Sequence, residues 1–317
     1  METTQMKNNI MLSVIVTTFN HEKYIEKCLN SIINQKVEFE YEIIITDDCS
    51  EDGTVELLKA YSGIKVIENK KNIGLCQNLH NAFRTAKGKY IFECSGDDFL
   101  GKEDMLQKQV MFLEHNFDYF RATAWHYFEN RQTGEKKVVE FPYKKYTLLD
   151  FLRGIDAGFY TGTFRNTYVN DNISYLCNGS RNNEEIQMMF YLLSKGDTYI
   201  IPEPMYVYCF HVSGIDRNYC SLNTDVDILA DYAKGFYAVE GDMRNKKYNL
   251  SLAKVKKYNS YINKILDTRD FKKIAYIGKV LTLSDIIKFI WYKCILKLFH
   301  YKIPEILLSE RRLIKNK

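Results

Sequence analysis

The stretch FECSGDDF at 92–99 ends an apolar run in two adjacent carboxylates, Asp97 and Asp98. Like charges side by side disfavour their own ionisation unless a cation sits before them, so the pair asks for a positive partner. A divalent ion would answer, because hard cations take oxygen ligands, often one or two carboxylates completed by substrate phosphates. The structural alternative is a cap on the helix beginning near Lys102, which needs one acid and leaves the second unexplained. A second pair, Asp47 and Asp48, opens the segment DDCSEDGT; it either shapes a turn with Asp52 and Gly53 or faces a ligand. A third, Glu184 and Glu185, opens a helix whose apolar face is Ile186, Met189, Phe190 and Leu193. At about 100° per residue Glu184 points away from that face, whereas Glu185 lies at its border and is the better aimed of the two. Both could also do no more than favour the positive end of a helix.

The elements that must position these acids follow a strand-then-helix rhythm. Leu12 to Val16, Tyr41 to Thr46, Ile64 to Glu68 and Lys89 to Glu93 read as short buried strands. Between them, helices run from about Tyr24 to Asn34, near Thr54 to Tyr61, and through Leu75, Leu79, Ala82, Phe83 and Ala86. Such alternation implies a mostly parallel sheet covered by helices with right-handed crossovers, and ligands of such sheets bind outside the carboxyl ends of the strands. The polar residues gather there: Thr17, Thr18, Phe19 and Asn20 after the first strand, Asp47 and Asp48 after the second, Asn69 to Gly74 with Asn72 after the third, Asp97 and Asp98 after the fourth. Neither GxGxxG nor GxxxxGK[ST] is present, which excludes the usual dinucleotide and P-loop cradles.

SVIVTTFN at 13–20, IIITDDCSEDGT at 43–54, NKKNIGLCQNLHNAF at 69–83 and KGKYIFECSGDDF at 87–99 resemble, in order, the motifs of family-2 glycosyltransferases of the GT-A fold, and the resemblance covers roughly residues 11–212. It implies an α/β, Rossmann-like domain that transfers one sugar, with inversion, from a nucleotide-sugar donor, with a preference for UDP, to a glycan or lipid-linked acceptor in cell-surface polysaccharide synthesis. It further implies that Thr17, Thr18, Phe19, Asn20, Asp47, Asp48, Asn72 and Gly74 line the donor site. Asp98 is then the direct ligand of a Mg²⁺ or Mn²⁺ ion, and Asp97 reaches the donor's ribose or sugar. Glu185 stands where family members usually carry the Asp that serves as base, beside Glu184. YVYCFHVSGI at 206–215 resembles the downstream segment in which His211 is a third metal ligand, contacts the diphosphate, or is simply packed. GFYTGTFRN at 158–166 resembles the acceptor side, with Thr161 and Arg165 as contacts. No QxxRW motif is present, so a one-sugar-at-a-time enzyme is expected.

Composition sets the outer bounds. A chain of 317 residues, 46% hydrophobic, can bury a sizeable core. Its eight cysteines show neither CxxC nor Cys/His metal spacing and read as reduced core thiols. From Ile286 to Lys317 eight Lys or Arg face two Glu, a balance of +6, which leaves −2 for the rest of the +4 chain; a basic main domain for nucleic acid is not supported. Ile287, Ile290, Trp291, Cys294, Leu298 and Tyr301 fall on one helical arc beside these lysines, a pattern suited to an anionic membrane interface or to packing on the protein's own domain. The expected organisation is a catalytic domain over 1–225, a helical extension over 226–283 and a basic amphipathic tail over 284–317. The N-terminal run is too short to span a bilayer, so a cytoplasmic location at the inner membrane face is expected. Two rivals share the sheet type: a sugar nucleotidyltransferase, and a non-catalytic sugar-nucleotide binder that has lost its base.

Overall fold

The computed structural model describes residues 10–152, 161–168 and 184–211, together with positions 232, 233, 235, 236, 258, 262, 277, 281, 283–287 and 290. The chain divides into two compact units, Met1–Tyr248 and Asn249–Lys317; boundaries at 225 and 283 were the expectation. In the first unit, β1 (Leu12–Thr18), β2 (Tyr41–Asp47), β3 (Ile64–Glu68) and β4 (Tyr90–Ser95) alternate with α1 (Ile25–Ile33), α2 (Thr54–Lys59) and α3 (Leu75–Phe83). β1 lies between β2 and β4, β2 also pairs with β3, and all three pairings are parallel. Every residue of β1 is buried, as a strand covered on both faces requires. The alternation divides its side chains cleanly: Val14 and Val16 pack with Ile25, Cys28 and Leu29 of α1, whereas Ile15 packs with Leu79 and Phe83 of α3.

The sheet continues in a less regular way. Its full order is β3-β2-β1-β4-β9-β6-β10-β5, where β5 is Phe99–Leu100, β6 Tyr119–Asn130, β9 Thr163–Arg165 and β10 Asp197–Phe210. β9 runs antiparallel to both β4 and β6, and β6 is parallel to β10. A hairpin strand β7 (Lys136–Val139) pairs with β6, and β8 (Lys145–Tyr146) pairs with β10. Helices α4 (Met105–His115), α5 (Leu148–Leu152) and α6 (Glu184–Lys195) complete the described elements of this unit. β10 carries register shifts between Ile201 and Pro204 and between Pro204 and Tyr206; proline lacks the ladder donor and is accommodated at such irregularities.

The expected sheet is therefore present, with each of the first four strands within two residues of its expected ends. In the second unit Leu281 and Asp285 are buried, while Leu283, Ile287 and Ile290 are exposed. No helix among the described residues is long and apolar enough to cross a membrane. Cys28, Cys76, Cys94 and Cys209 are buried free thiols and Cys49 is a half-buried one; Cys177, Cys220 and Cys294 lie outside the described residues.

Candidate active site

The rim is built by stitching successive strand-end loops to one another. Asn20 and Cys49 adopt φ of +57° and +67°, a region that costs most L-residues free energy and that Asn tolerates best. In that conformation Asn20 N–H donates to Ser50 Oγ (2.9 Å) and Asn20 Oδ1 accepts from Glu51 N–H (2.8 Å). His21 N–H donates to Thr54 Oγ1 at 2.8 Å, and Glu22 N–H to Asp52 at 3.1 Å. The loop after β1 is thus fastened to the loop after β2.

Asp47 and Asp48 do much of this fastening. Asp47 accepts from Ser50 N–H (2.8 Å) and Ser50 Oγ (2.5 Å), and burial pushes its carboxyl above the usual range despite those bonds. Asp48 accepts from Ile73 N–H and Gly74 N–H, each at 2.8 Å, and from the Asn69 amide at 3.2 Å. Gly74 holds φ at +88° at the start of α3, so the conformation demands glycine. Both acids stand at the rim as expected, and their carboxylates also hold its loops through backbone N–H groups, the Ser50 hydroxyl and the Asn69 amide. Thr17 and Thr18 are buried, Phe19 is 41% exposed, and Asn72 is exposed on the third loop. Thr18 Oγ1 is buried without a hydrogen-bond partner.

The acidic pair after β4 splits into two roles. Asp98 is 5% exposed and turns inward, where Oδ2 accepts from the Tyr206 hydroxyl and Oδ1 from Cys209 N–H, both at 2.7 Å. Burial and the neighbouring Asp97 charge drive its carboxyl well above the ordinary range. Asp97 turns to the rim: His211 Nε2 lies 2.8 Å and His21 Nε2 3.8 Å from its Oδ2, and the Ser95 hydroxyl donates to its Oδ1. Burial alone would raise the Asp97 carboxyl, yet His211, His21 and Ser95 together hold it well below the carboxylate range. Asp97, not Asp98, shares the rim with His211, because both Asp98 oxygens are taken by β10.

Several neighbours were not singled out in the sequence. Tyr24 lies with its ring centroid 4.7 Å from that of His211, and the Arg131 guanidinium sits 4.0 Å above the same Tyr24 ring. Arg131 Nη2 donates to the Asp97 carbonyl at 2.6 Å. His21 is held below the usual imidazole range by burial, which outweighs the attraction of Asp97, and its Nδ1 has no hydrogen-bond partner. A Cβ on Gly96 would lie 2.8 Å from that nitrogen, so only glycine lets His21 approach. His21 could have been suspected from its place directly after VTTFN. Arg131 carries no local signal, since it reaches the rim through β6.

The acceptor and base assignments fare differently. The Thr161 carbonyl accepts from Thr123 Oγ1 (2.6 Å) and Arg121 Nη2 (3.2 Å). Arg165 is a correction: its guanidinium donates to the Tyr119, Leu113 and Asn116 carbonyls and to the Tyr90 hydroxyl. Because β9 is antiparallel to β4 with Arg165 opposite Tyr90, it stands at the far end of the sheet from the rim. Glu184 and Glu185 open α6 as expected; their side chains lie outside the description. Met188, Met189, Phe190, Tyr191, Leu192 and Leu193 are all buried, so α6 is covered on more sides than the expected single face, and that face does not by itself distinguish the two acids.

Residues 13–170 match the family described as Glycosyl transferase family 2. An uncharacterized glycosyltransferase of Haemophilus influenzae is 38% identical over 115 residues, 35% of each chain. The Staphylococcus aureus poly(ribitol-phosphate) beta-N-acetylglucosaminyltransferase TarS is 34% identical over 111 residues, 33% of this chain and 19% of that protein. The aligned stretches thus span about a third or less of these relatives' lengths. The crystal structure of S. aureus TarS 1–349 in complex with UDP-GlcNAc superposes with a TM-score of 0.58 at 17% identity, covering 89% of this chain and 79% of that one. Residues 13–170, with their motifs in order on one mostly parallel sheet, form a glycosyl transferase family 2 domain, and this chain is built on the GT-A fold.

Proposed function

We propose that the protein is an inverting glycosyltransferase that moves one sugar from a nucleotide-sugar donor, a UDP-sugar by preference, to a glycan or lipid-linked acceptor in cell-surface polysaccharide synthesis. The observation that carries this reading is the Asp97–His211 pair, a carboxylate and an imidazole 2.8 Å apart at the carboxyl end of β4. A structural neighbour determined with UDP-GlcNAc supports the donor class, and relatives named as transferases to poly(ribitol-phosphate) support a polymer as acceptor.

In the transfer, a base takes the proton of the acceptor hydroxyl, that oxygen bonds to the anomeric carbon, and the bond from that carbon to the diphosphate oxygen breaks with its electron pair leaving on phosphate. Among the described residues no three His, Cys, Asp or Glu side chains form a complete metal cage. The donor set nonetheless fits Mg²⁺ or Mn²⁺, which take one or two protein ligands and fill the rest of their shell with water and substrate phosphates. Asp97, kept ionised, and His211 would hold the ion, which supplies charge neutralisation at the departing diphosphate. Phe19, exposed beside Asn20, would pack against the nucleobase, and Asn72 and Gly74, on the loop held by Asp48, would line the same donor site. Glu185, at the start of α6, is the proposed base and Glu184 its neighbour.

The second unit supports a peripheral membrane position at the inner face of the cytoplasmic membrane. Leu283, Ile287 and Ile290 are 73%, 58% and 54% exposed, share one helical face, and stand at the start of the +6 segment over 286–317, a combination suited to anionic lipid. Loss of co-sedimentation with anionic liposomes on deleting 284–317 is the expected result, and retained binding would remove this part of the reading.

The deciding experiment measures nucleotide release and glycosyl transfer by the full chain across a panel of sugar nucleotides with Mn²⁺ or Mg²⁺. Glu185→Gln is expected to lower transfer by on the order of 10²-fold or more with donor affinity unchanged, and Glu184→Gln to be near neutral. Equal transfer by wild type and Glu185→Gln removes Glu185 as base. Absence of transfer with every donor and acceptor class overturns the enzymatic reading.

A further inference from the structure

The β6–β7 hairpin places a cation at the rim for which no described residue supplies a carboxylate. Its turn is rigidly made: Gly134 N–H donates to the Asn130 carbonyl at 2.8 Å with φ of +71° at Gly134, and Asn130 Oδ1 accepts from Gln132 N–H (2.9 Å) and Thr133 N–H (3.2 Å). Arg131 N–H donates to the Phe210 carbonyl at 3.0 Å, which fastens the hairpin to the residue preceding His211. The Arg131 side chain is then held by the Asp97 carbonyl at 2.6 Å and by the Tyr24 ring at 4.0 Å.

None of these partners carries a negative charge. Among the described residues no carboxylate lies within ion-pair distance of Arg131. The nearby Glu129 is engaged by Lys27 (3.7 Å) and Lys136 (3.9 Å), and the Asp97 carboxylate by His211 and His21. Guanidinium stays charged at any physiological pH and presents five N–H donors. A half-buried arginine fixed by a carbonyl and an aromatic face, with no counter-ion among the described residues, is a site suited to an anion, and planar N–H forks match phosphate oxygens.

We infer that Arg131 recognises the donor's diphosphate: it receives the phosphate group next to the sugar as that group departs, beside Asp97 and His211. The inference rests on the nucleotide-sugar reading of this rim and adds to it a residue from a strand outside the four motifs. It makes Arg131 a determinant of diphosphate over monophosphate binding rather than of nucleobase choice.

The test is calorimetric binding of UDP and UMP to the full chain, with and without Mn²⁺, for wild type, Arg131→Gln and Arg131→Lys. Wild type should bind UDP more tightly than UMP. Arg131→Gln should cut that ratio tenfold or more while leaving UMP affinity unchanged, and Arg131→Lys, which keeps the charge but not the fork, should retain part of it. A purely structural Arg131 would weaken UMP and UDP equally, and this outcome overturns the proposal. If Arg131→Gln does not fold, an undiminished UDP to UMP ratio in Arg131→Lys overturns it instead. Failure of the nucleotide-sugar reading looks different: wild type then binds neither UDP nor UMP, nor the corresponding guanine, adenine or thymine nucleotides.

Discussion

Replacing Asp98 by alanine should damage the fold more than it damages ion binding, whereas Asp97→Ala should do the reverse. The alanine at 98 removes the carboxylate that lies 2.7 Å from both the buried Tyr206 hydroxyl and the buried Cys209 N–H, and leaves that hydroxyl only the weak contact with Cys94 Sγ at 3.7 Å. Each unsatisfied group costs about 1–3 kcal/mol, so the loss is about 2–6 kcal/mol. For a unit the size of Met1–Tyr248, at about 2–4 °C per kcal/mol, the thermal midpoint should fall by at least ~4 °C. Asp98→Asn separates charge from hydrogen bonding. The amide oxygen can accept from Cys209 N–H, its N–H can donate to the Tyr206 oxygen, and repulsion from Asp97 disappears. That variant should stay within about 1 kcal/mol of wild type. The assay is thermal unfolding followed by circular dichroism, with and without Mn²⁺, since an ion that binds only the folded state raises the midpoint. Asp98→Asn should keep the Mn²⁺-induced rise and Asp97→Ala should lose it. An Asp98→Ala protein that unfolds at the wild-type temperature and has lost the Mn²⁺ response, beside an Asp97→Ala protein that keeps it, would refute the division of roles.

Three further outcomes are expected. Asp48→Ala should lose about 2–4 kcal/mol by orphaning Ile73 N–H and Gly74 N–H, and limited proteolysis should then cut within 69–74; an uncut loop would show that Asp48 does not hold it. Gly88→Ala should be poorly folded, because the new Cβ would lie 2.4 Å from Ser13 N and 2.6 Å from the Leu12 carbonyl carbon; a soluble variant with a wild-type unfolding midpoint would contradict the packing of β1 on the turn before β4. His80, held below the usual imidazole range by burial and then by Arg84, binds a proton more readily in the unfolded chain. Stability should therefore fall as pH drops through the ordinary imidazole range toward the lowered folded-state value, and His80→Asn should flatten that slope in urea titrations at pH 5 to 7.

The sequence made the first half of the sheet legible because β1, β2 and β4 are largely buried, β3 keeps its β-branched residues at strand spacing, and turn chemistry delimits each of the four. Ile64–Glu68 is found with its expected ends, and the four rim loops are where periodicity put them. What escaped it came from contacts far along the chain. Tyr206 and Cys209 lie 108 and 111 residues beyond Asp98, and nothing local says which carboxylate of an adjacent pair a distant strand will claim. Arg131 was invisible for the same reason, since a hairpin's position on a sheet depends on its partner strand. Arg165 misled in the other direction: its neighbourhood resembled an acceptor segment, but the antiparallel pairing of β9 carries it to the opposite end. For Asp47 and Asp48 the turn-forming alternative was visible from the start, and the loops' own N–H groups are what their oxygens serve.

The irregular middle of β10 has a consequence for how this fold can change. Tyr206, Cys209, Phe210 and His211 all meet the rim with defined partners, so the phase of that strand end is set by the two shifts around Pro204. Because neighbouring side chains on a strand point to opposite faces, inserting or deleting one residue between Ile201 and Tyr206 would carry the Tyr206 hydroxyl away from Asp98 and His211 away from Asp97 in a single event. The exposed hairpin tip around Gln132 and Thr133 could lengthen without moving either. Length variation in this architecture should therefore be tolerated at the hairpin and excluded at a short, chemically unremarkable run of Pro202 to Met205, which acts as the spacer that keeps the rim in register.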